Sequence, residues 1–160
     1  ITKVPFDVHL MIENPYKYID EFIKAGADIL TIHYESKSDI IKTLKEIKEK
    51  GCKASISIKP NTEPEVLFPY LELIDMLLIM TVEPGFGGQK LIPECLEKAQ
   101  ILKAEITKRK LNVLIEADGG ITPENLTPVR ESGVDIAVIG SAIFKSSNRN
   151  ELIKILKERD

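Results

Sequence analysis

The sequence predicts an α/β fold in which parallel strands alternate with helices. Short β-branched apolar runs recur between amphipathic helical patterns along the whole chain, and this order requires a parallel sheet covered by helices. Composition leaves an open doubly wound sheet and a closed barrel as alternatives. Each predicted unit takes roughly 20 to 35 residues, and a barrel of eight such units typically needs about 250. The length of 160 residues therefore favours a TIM (β/α)8 barrel with about six βα units, incomplete at its N-terminal side.

The predicted elements carry consistent start and stop signals. Pro15 and Pro123 stand at predicted helix starts, while Gly26, Gly51 and Gly133 follow predicted helix ends. We find no sequence repeat beyond the βα period, and we expect one domain over the full 160 residues. The predicted strands are residues 6–12, 29–33, 54–58, 76–82, 113–117 and 136–139. The predicted helices are residues 15–25, 38–50, 63–73, 93–110, 123–132 and 150–159.

Composition excludes several classes of function. The chain is 43% hydrophobic and 29% charged with a net charge of -3, and its Lys and Arg residues are spread through helical segments. We therefore expect neither nucleic acid nor a membrane surface as a partner. No apolar run reaches the roughly 18 residues of a membrane span, and no leader pattern is visible. Cys52 and Cys95 lack metal-ligand spacing, so free thiols and a cytoplasmic location are expected. The start at Ile1, without a methionine, is what we expect of a fragment.

The loop PGFGGQ, residues 84–89, follows a predicted strand and precedes a predicted helix. Ligands of parallel β/α folds bind at the carboxyl ends of the strands, so this loop is a candidate site. Its Gly85, Gly87 and Gly88 let the backbone approach an anion closely with N–H groups pointing inward, which suits a phosphate. Taken alone, the motif is equally typical of a flexible glycine turn.

Two later loops supply further parts of a predicted phosphate cup. Gly119-Gly120 follow the fifth predicted strand, and Gly140-Ser141 follow the sixth. Barrels commonly hold phosphate between their last two βα loops and a short helix N-terminus, and these positions match. Either pair alone is a weak signal. Together, on successive strands, they favour a small phosphorylated ligand.

Asp118 and His9 are candidates for metal binding or proton transfer at the same mouth. By the two-residue period of a strand, Asp118 shares a face with Glu116, while His9 shares one with Asp7 and Met11. A carboxylate at this place can bind a metal, move a proton or simply cap a turn. A strand histidine is otherwise a packed core residue. Imidazole and carboxylate together suit zinc, iron or manganese.

Three further side chains are expected near this mouth. His33, the only other histidine, ends the second predicted strand and is expected to support a ligand rather than to bind one. Met11 and Met80 either form an apolar wall over a reacting centre or fill the core. The sequence does not determine the oligomeric state, and a homo-oligomer is one of the alternatives.

Six segments form an ordered set along the chain, and their combination is more specific than any one of them. They are DVHLMIENP (7–15), GAD (26–28), IKPNT (58–62), MTVEPGFGGQ (80–89), EADGGI (116–121) and GSAIF (140–144). In this order and spacing they resemble the ribulose-phosphate 3-epimerase family, and the resemblance extends over essentially the whole chain. Other phosphate-binding barrels share only loose glycine patterns.

The resemblance implies an isomerase that inverts carbon 3 of a pentulose phosphate, interconverting D-ribulose 5-phosphate and D-xylulose 5-phosphate in the pentose phosphate pathway. It implies one divalent metal ion, Zn, Fe, Mn or Co, because the hydrogen beside a ketone is a poor acid. On this reading His9 and Asp118 are metal ligands, and Asp118 is also a catalytic acid/base. The implied substrate and phosphate contacts are His9, Gly85, Phe86, Gly87, Gly88, Gly119, Gly120, Gly140 and Ser141.

The chain departs from the family pattern in one large respect. Members carry a serine on the first barrel strand and an H-x-D-V-M-D-G motif on the second, which provide two more metal ligands and the opposing proton acceptor. Neither strand is found here, so we expect two of four metal ligands, one of two acid/base groups and no competent catalyst from this chain alone. The alternatives are an epimerase acting on a hexulose phosphate such as allulose 6-phosphate, and an inactive phosphate-binding fragment.

Overall fold

The computed structural model describes residues 3–158. Strands and helices alternate along these residues, as the sequence predicts; residue 159 of the last predicted helix lies outside them. The strands are β1 (Asp7–Leu10), β2 (Ile29–His33), β3 (Lys53–Ile58), β4 (Met76–Met80), β5 (Leu114–Asp118) and β6 (Ile136–Val138). The α-helices are α1 (Ile19–Lys24), α2 (Ile40–Glu49), α3 (Glu94–Arg109), α4 (Leu126–Glu131), α5 (Ser141–Lys145) and α6 (Arg149–Lys157). The 3-10 helices are Pro15–Tyr18, Pro64–Tyr70 and Pro123–Asn125.

Two helical segments differ from their predictions. The helix predicted over 63–73 is a 3-10 helix, Pro64–Tyr70, because Pro69 inside it has no N–H to donate and its ring disfavours an α-helix. The short helix α5 was not predicted as an element of its own, since five residues are too few for a periodic pattern. The helix-terminating role of the three glycines is confirmed, because all of them have a positive φ.

The order of the strands decides between the two parallel folds. All six pair in parallel in the order β1-β2-β3-β4-β5-β6, so each strand lies beside the next one in sequence. A doubly wound sheet would reverse its order at a switch point. The chain therefore forms a curled, partial TIM barrel of six βα units, as predicted. Within the described residues β1 and β6 form its two edges, as an incomplete barrel requires.

The two faces of the sheet have different chemistry. The outward face is apolar and packs against the helices, and this layer is the main core. The inward face of the first three strands is polar, and the hydroxyls of Thr31, Ser55 and Ser57 are buried there without a hydrogen-bond partner among the described residues. Bulky branched apolar side chains usually dominate the interior of such barrels, so this polar layer departs from the usual packing. Among the helices of residues 3–158, none combines the length and apolarity of a bilayer span.

A repeated aspartate, which sequence analysis missed, joins the strands in pairs. An Asp directly before β2 and another before β6, together with Asp75 before β4, each exchange two hydrogen bonds with one residue at the start of the preceding strand. The side-chain bonds are Phe6 N to Asp28 Oδ2 (2.7 Å), Ala54 N to Asp75 Oδ2 (2.9 Å) and Ile115 N to Asp135 Oδ2 (2.9 Å). The return bonds run from each Asp backbone N–H to the same residue's carbonyl oxygen. These aspartates follow the βα period in every second unit, and a single residue at such wide spacing is too sparse to stand out in the sequence.

Replacing Asp75 should measurably destabilise the fold. Asp75→Ala leaves the buried N–H of Ala54 without its acceptor, which costs about 1–3 kcal/mol. Glu72→Ala is the matched control, because Glu72 is an exposed acid three residues earlier in the chain. Urea denaturation gives the free energy of unfolding of both variants. Equal values for the two would show that the aspartate pairing does not stabilise the sheet.

Candidate functional site

The carboxyl ends of the strands surround a cavity of about 320 Å³. Both Met11 and Met80 line it, so the sequence's suggestion of a methionine wall is consistent with its position. The ring of His9 lies outside the lining but close to Asp118. The predicted site residues that line the cavity are Gly85, Phe86, Gly87, Gly88, Asp118, Gly119, Gly120, Gly140 and Ser141.

The PGFGGQ loop is closed on itself by its last side chain. The amide of Gln89 donates to the carbonyl oxygens of Glu83 (2.7 Å) and Phe86 (2.8 Å), which fixes the ends of the loop without using its glycine N–H groups. Gly85 and Gly88 have φ of 134° and 78°, which side chains rarely allow. Phe86 is 85% exposed at the rim. Apart from its place in the motif, nothing in the sequence indicated this role of Gln89.

The second glycine loop packs directly against the first. Thr81 holds the two together, since its backbone N–H donates to the carbonyl of Asp118 (2.9 Å) and its hydroxyl to that of Gly119 (2.6 Å). Gly120 has a φ of 66°, and a Cβ there would overlap the backbone nitrogen of Leu91. Only glycine fits at such a close approach of two chains. The glycine pair is thus required by packing as well as by any ligand.

Lys145, which sequence analysis did not single out, brings a positive charge to this rim. It is the last residue of α5, whose first residue is Ser141. Its ammonium lies 3.9 Å from the place that a Cβ on Gly88 would occupy. No motif marks a lone lysine at a helix end, so only the tertiary structure shows this proximity.

His9 and Asp118 face each other across the mouth from strands that are not neighbours. His9 Nδ1 lies 4.0 Å from Asp118 Oδ2. Burial, with a smaller effect of His33, lowers the pKa of His9 to about 4, so its imidazole is neutral at neutral pH. Burial raises the pKa of Asp118. Bonds to a metal such as zinc are about 2.0–2.2 Å for nitrogen or oxygen ligands, so one ion can contact both groups. Among residues 3–158 no group of three or more His, Cys, Asp or Glu side chains is arranged to hold a metal ion.

His33 stacks on His9 and connects it to Glu35. The two Nε2 atoms are 2.7 Å apart, and the ring centroids are 4.8 Å apart. On its other side, His33 Nδ1 lies 3.2 Å from Glu35 Oε2. The placement agrees with the predicted supporting position of His33. The sequence did not indicate a role for Glu35. Its contact with Lys59, which lies 24 residues later in the chain, depends on tertiary structure.

A pair of carboxyl groups lies deeper in the barrel. Burial, and then the charges of Asp7 and Asp118, raise the pKa of Glu116 to about 8. Burial also raises the pKa of Asp7, whose side chain hydrogen-bonds with that of Glu116. Asp7 is exposed on the edge strand whereas Glu116 is buried, so Glu116 is the member of the pair that holds a proton at neutral pH. This protonation limits the negative charge beneath Asp118.

Comparison with known proteins shows which proteins this chain is similar to. The chain is 41% identical over 153 residues to the ribulose-phosphate 3-epimerase of Candida glabrata, covering 96% of this chain and 61% of that protein. It is 42% identical over 158 residues to the Bacillus subtilis protein of the same name, covering 98% and 73%. The chain thus spans 61% of the length of the first of these relatives.

A solved structure and a family match complete the comparison. The 3-hexulose-6-phosphate synthase of Salmonella typhimurium aligns with a TM-score of 0.65 over 94% of this chain and 69% of that one. Its identity of 20% supports the barrel fold alone. Residues 1–144 match the ribulose-phosphate 3-epimerase family, and the chain belongs to that family.

Proposed function

We propose that this protein is a ribulose-phosphate 3-epimerase, an isomerase that interconverts D-ribulose 5-phosphate and D-xylulose 5-phosphate in the pentose phosphate pathway. The observation that carries the proposal is one cavity with a glycine-lined end and a mouth where Asp118 faces His9. Such a cavity suits a ligand with a phosphate at one end and a reacting carbon at the other. Family membership supports the same reading.

The glycine loops are the proposed phosphate end. The side-chain amide of Gln89 holds the first loop in place, so the glycine N–H groups are not used for these hydrogen bonds. Backbone N–H groups without a Cβ beside them can approach phosphate oxygens closely. Gly140 and Ser141 complete the rim from the other side. The phosphate then fixes the distance of carbon 3 from Asp118.

Asp118 is the proposed proton carrier on one face of the sugar. Its pKa is raised by burial, which brings a carboxylate closer to the pKa that proton transfer near neutral pH favours. The hydrogen on carbon 3 lies next to a ketone, so its removal leaves negative charge that the site must stabilise. The resemblance assigns the opposing proton carrier to the H-x-D-V-M-D-G motif of the family.

His9 and Asp118 are the residues that would hold a divalent ion, Zn, Fe, Mn or Co. The bound ion would supply positive charge that lowers the barrier to removing the carbon-bound proton. The neutral imidazole and the carboxylate are suitable donors for all four metals. We further propose a reducing compartment such as the cytoplasm, on the basis of the two free, buried cysteines.

The activity is tested by converting ribulose 5-phosphate to xylulose 5-phosphate with added metal. We compare the chain with a version joined to the segments that its longer relatives have and it lacks. The joined version should turn over, and should prefer the pentulose to allulose 6-phosphate. The exchange of the carbon 3 hydrogen in deuterated water is measured in parallel. Phosphate binding without any exchange or turnover would favour the inactive-fragment alternative.

Asp118→Asn in that joined version should lower kcat by about 10²–10⁴-fold, because it removes a proton carrier and a charge. KM should change much less, since the phosphate end is untouched. Glu131→Gln is the control, because Glu131 is an exposed acid at the end of α4. A mild loss of kcat would mean that Asp118 has only a structural role.

Gly120→Ala should disrupt the glycine-lined end. The left-handed conformation alone costs about 1–2 kcal/mol for a residue with a side chain, and the added Cβ would overlap the backbone at Leu91. Gly87→Ala is the matched control, since a Cβ there meets no atom within 4 Å. Thermal denaturation and titration with inorganic phosphate give Tm and Kd. Gly120→Ala should lower Tm and weaken phosphate binding, whereas Gly87→Ala should leave Tm close to that of the unchanged chain.

A further inference from the structure

Glu35 is held in place from several sides. Its Oε1 accepts from the backbone N–H of Lys59 (2.9 Å) and from the hydroxyl of Thr62. The loop that carries these donors is fixed in turn, because Lys98 donates to the carbonyl oxygens of Pro60 and Thr62. The second carboxylate oxygen, Oε2, is left to face the ring of His33.

The charge of Glu35 determines whether Glu35 or His33 donates the hydrogen bond between them. Burial by itself would raise the pKa of Glu35, but hydrogen bonds from His33, Thr62 and Lys59 outweigh it and lower the pKa to about 2. An ionised carboxylate only accepts hydrogen bonds. The two donors on Oε1, the Lys59 N–H and the Thr62 hydroxyl, favour the ionised form independently of His33, so His33 Nδ1 carries the proton of the contact with Oε2.

The position of this proton on His33 determines the position of the proton on His9. In its neutral form His33 has one N–H and one lone pair, so with the proton on Nδ1 its Nε2 is an acceptor. The atom 2.7 Å from it is His9 Nε2, which then carries a proton and donates. The lone pair of His9 is consequently on Nδ1, the nitrogen that lies 4.0 Å from Asp118.

We propose that Glu35 and His33 are positioning residues that hold His9 in its Nε2–H tautomer, with the Nδ1 lone pair facing Asp118 and the cavity mouth. This inference rests on the proposed metal-binding role of His9 and Asp118. Metal-binding histidines generally donate their other N–H to a carboxylate or carbonyl that orients the ring. Here the carboxylate acts through a second imidazole, whose ring plane lies 22° from that of His9.

Glu35→Gln is the informative variant. Glutamine can keep its carbonyl oxygen toward Lys59 and Thr62, and its amide then donates to His33 Nδ1 instead of accepting from it. That reverses the chain of hydrogen bonds and moves the proton of His9 to Nδ1. Glu13→Gln is the matched control, since Glu13 is an exposed carboxylate near the same rim that pairs with Lys37.

The tautomers are read directly from long-range ¹H–¹⁵N spectra of the metal-free chain near neutral pH. The chain has 2 histidines, so His33→Phe identifies the signals of His9 and also tests the relay if Glu35→Gln fails to fold. We expect Nε2–H for His9 in the unchanged chain and in Glu13→Gln. We expect loss of that single tautomer in Glu35→Gln and in His33→Phe. His9 with its proton on Nδ1 in the unchanged chain, or unaffected by both variants, would overturn the proposal.

Titration with Zn²⁺ alone separates this inference from the proposed function. Glu35→Gln should weaken Zn²⁺ binding by about 10–100-fold relative to Glu13→Gln. If the spectra show the expected tautomers but the unchanged chain binds no Zn²⁺, the relay stands and the metal role of His9 fails. If Zn²⁺ binds equally to both variants, the relay does not position the ligand and the proposal fails.

Discussion

Six parallel strands in consecutive order impose the constraint on which the rest of the structure depends. Their carboxyl ends meet at one mouth, and their two-residue period sends alternate side chains to opposite faces. Outward side chains such as Leu30 and Ile56 pack against the helices. Inward ones such as His9 and Asp118 are thereby brought together from distant parts of the chain. The helix-packed core and the site are therefore formed by opposite faces of the same strands.

Close approach of backbone segments is the second requirement. Gly119 and Gly120 have positive φ and lie against Val82 and Leu91, so the two glycine loops share one wall. Thr81 joins them through its hydroxyl and its N–H. A pattern of glycines can thus be essential for packing and for phosphate binding at once. At the opposite end of the sheet, aspartates such as Asp75 and Asp135 connect the starts of neighbouring strands by hydrogen bonds.

The electrostatics of the mouth follow from burial and from hydrogen bonds that arrive from neighbouring loops. Burial keeps His9 neutral and raises the pKa of Asp118. Hydrogen bonds overcome burial at Glu35, which stays ionised. Glu35 thus accepts hydrogen bonds as a permanent carboxylate, while Asp118 lies where a proton could be exchanged with a ligand. The two roles are separated by the stacked imidazoles of His9 and His33.

The sequence by itself determined the class of fold, the six strands, the glycine loops and the pair His9 and Asp118, because periodicity, turn residues and motif order are local properties. It did not show Glu35 beside His33, Lys145 over the glycine loop or the repeated aspartates, since each depends on contacts between segments far apart in the chain. The sequence also did not indicate that the helix around Pro69 is a 3-10 helix, because apolar spacing cannot distinguish helix types. Strand order, and hence barrel curvature, was decided by tertiary hydrogen bonding between whole strands.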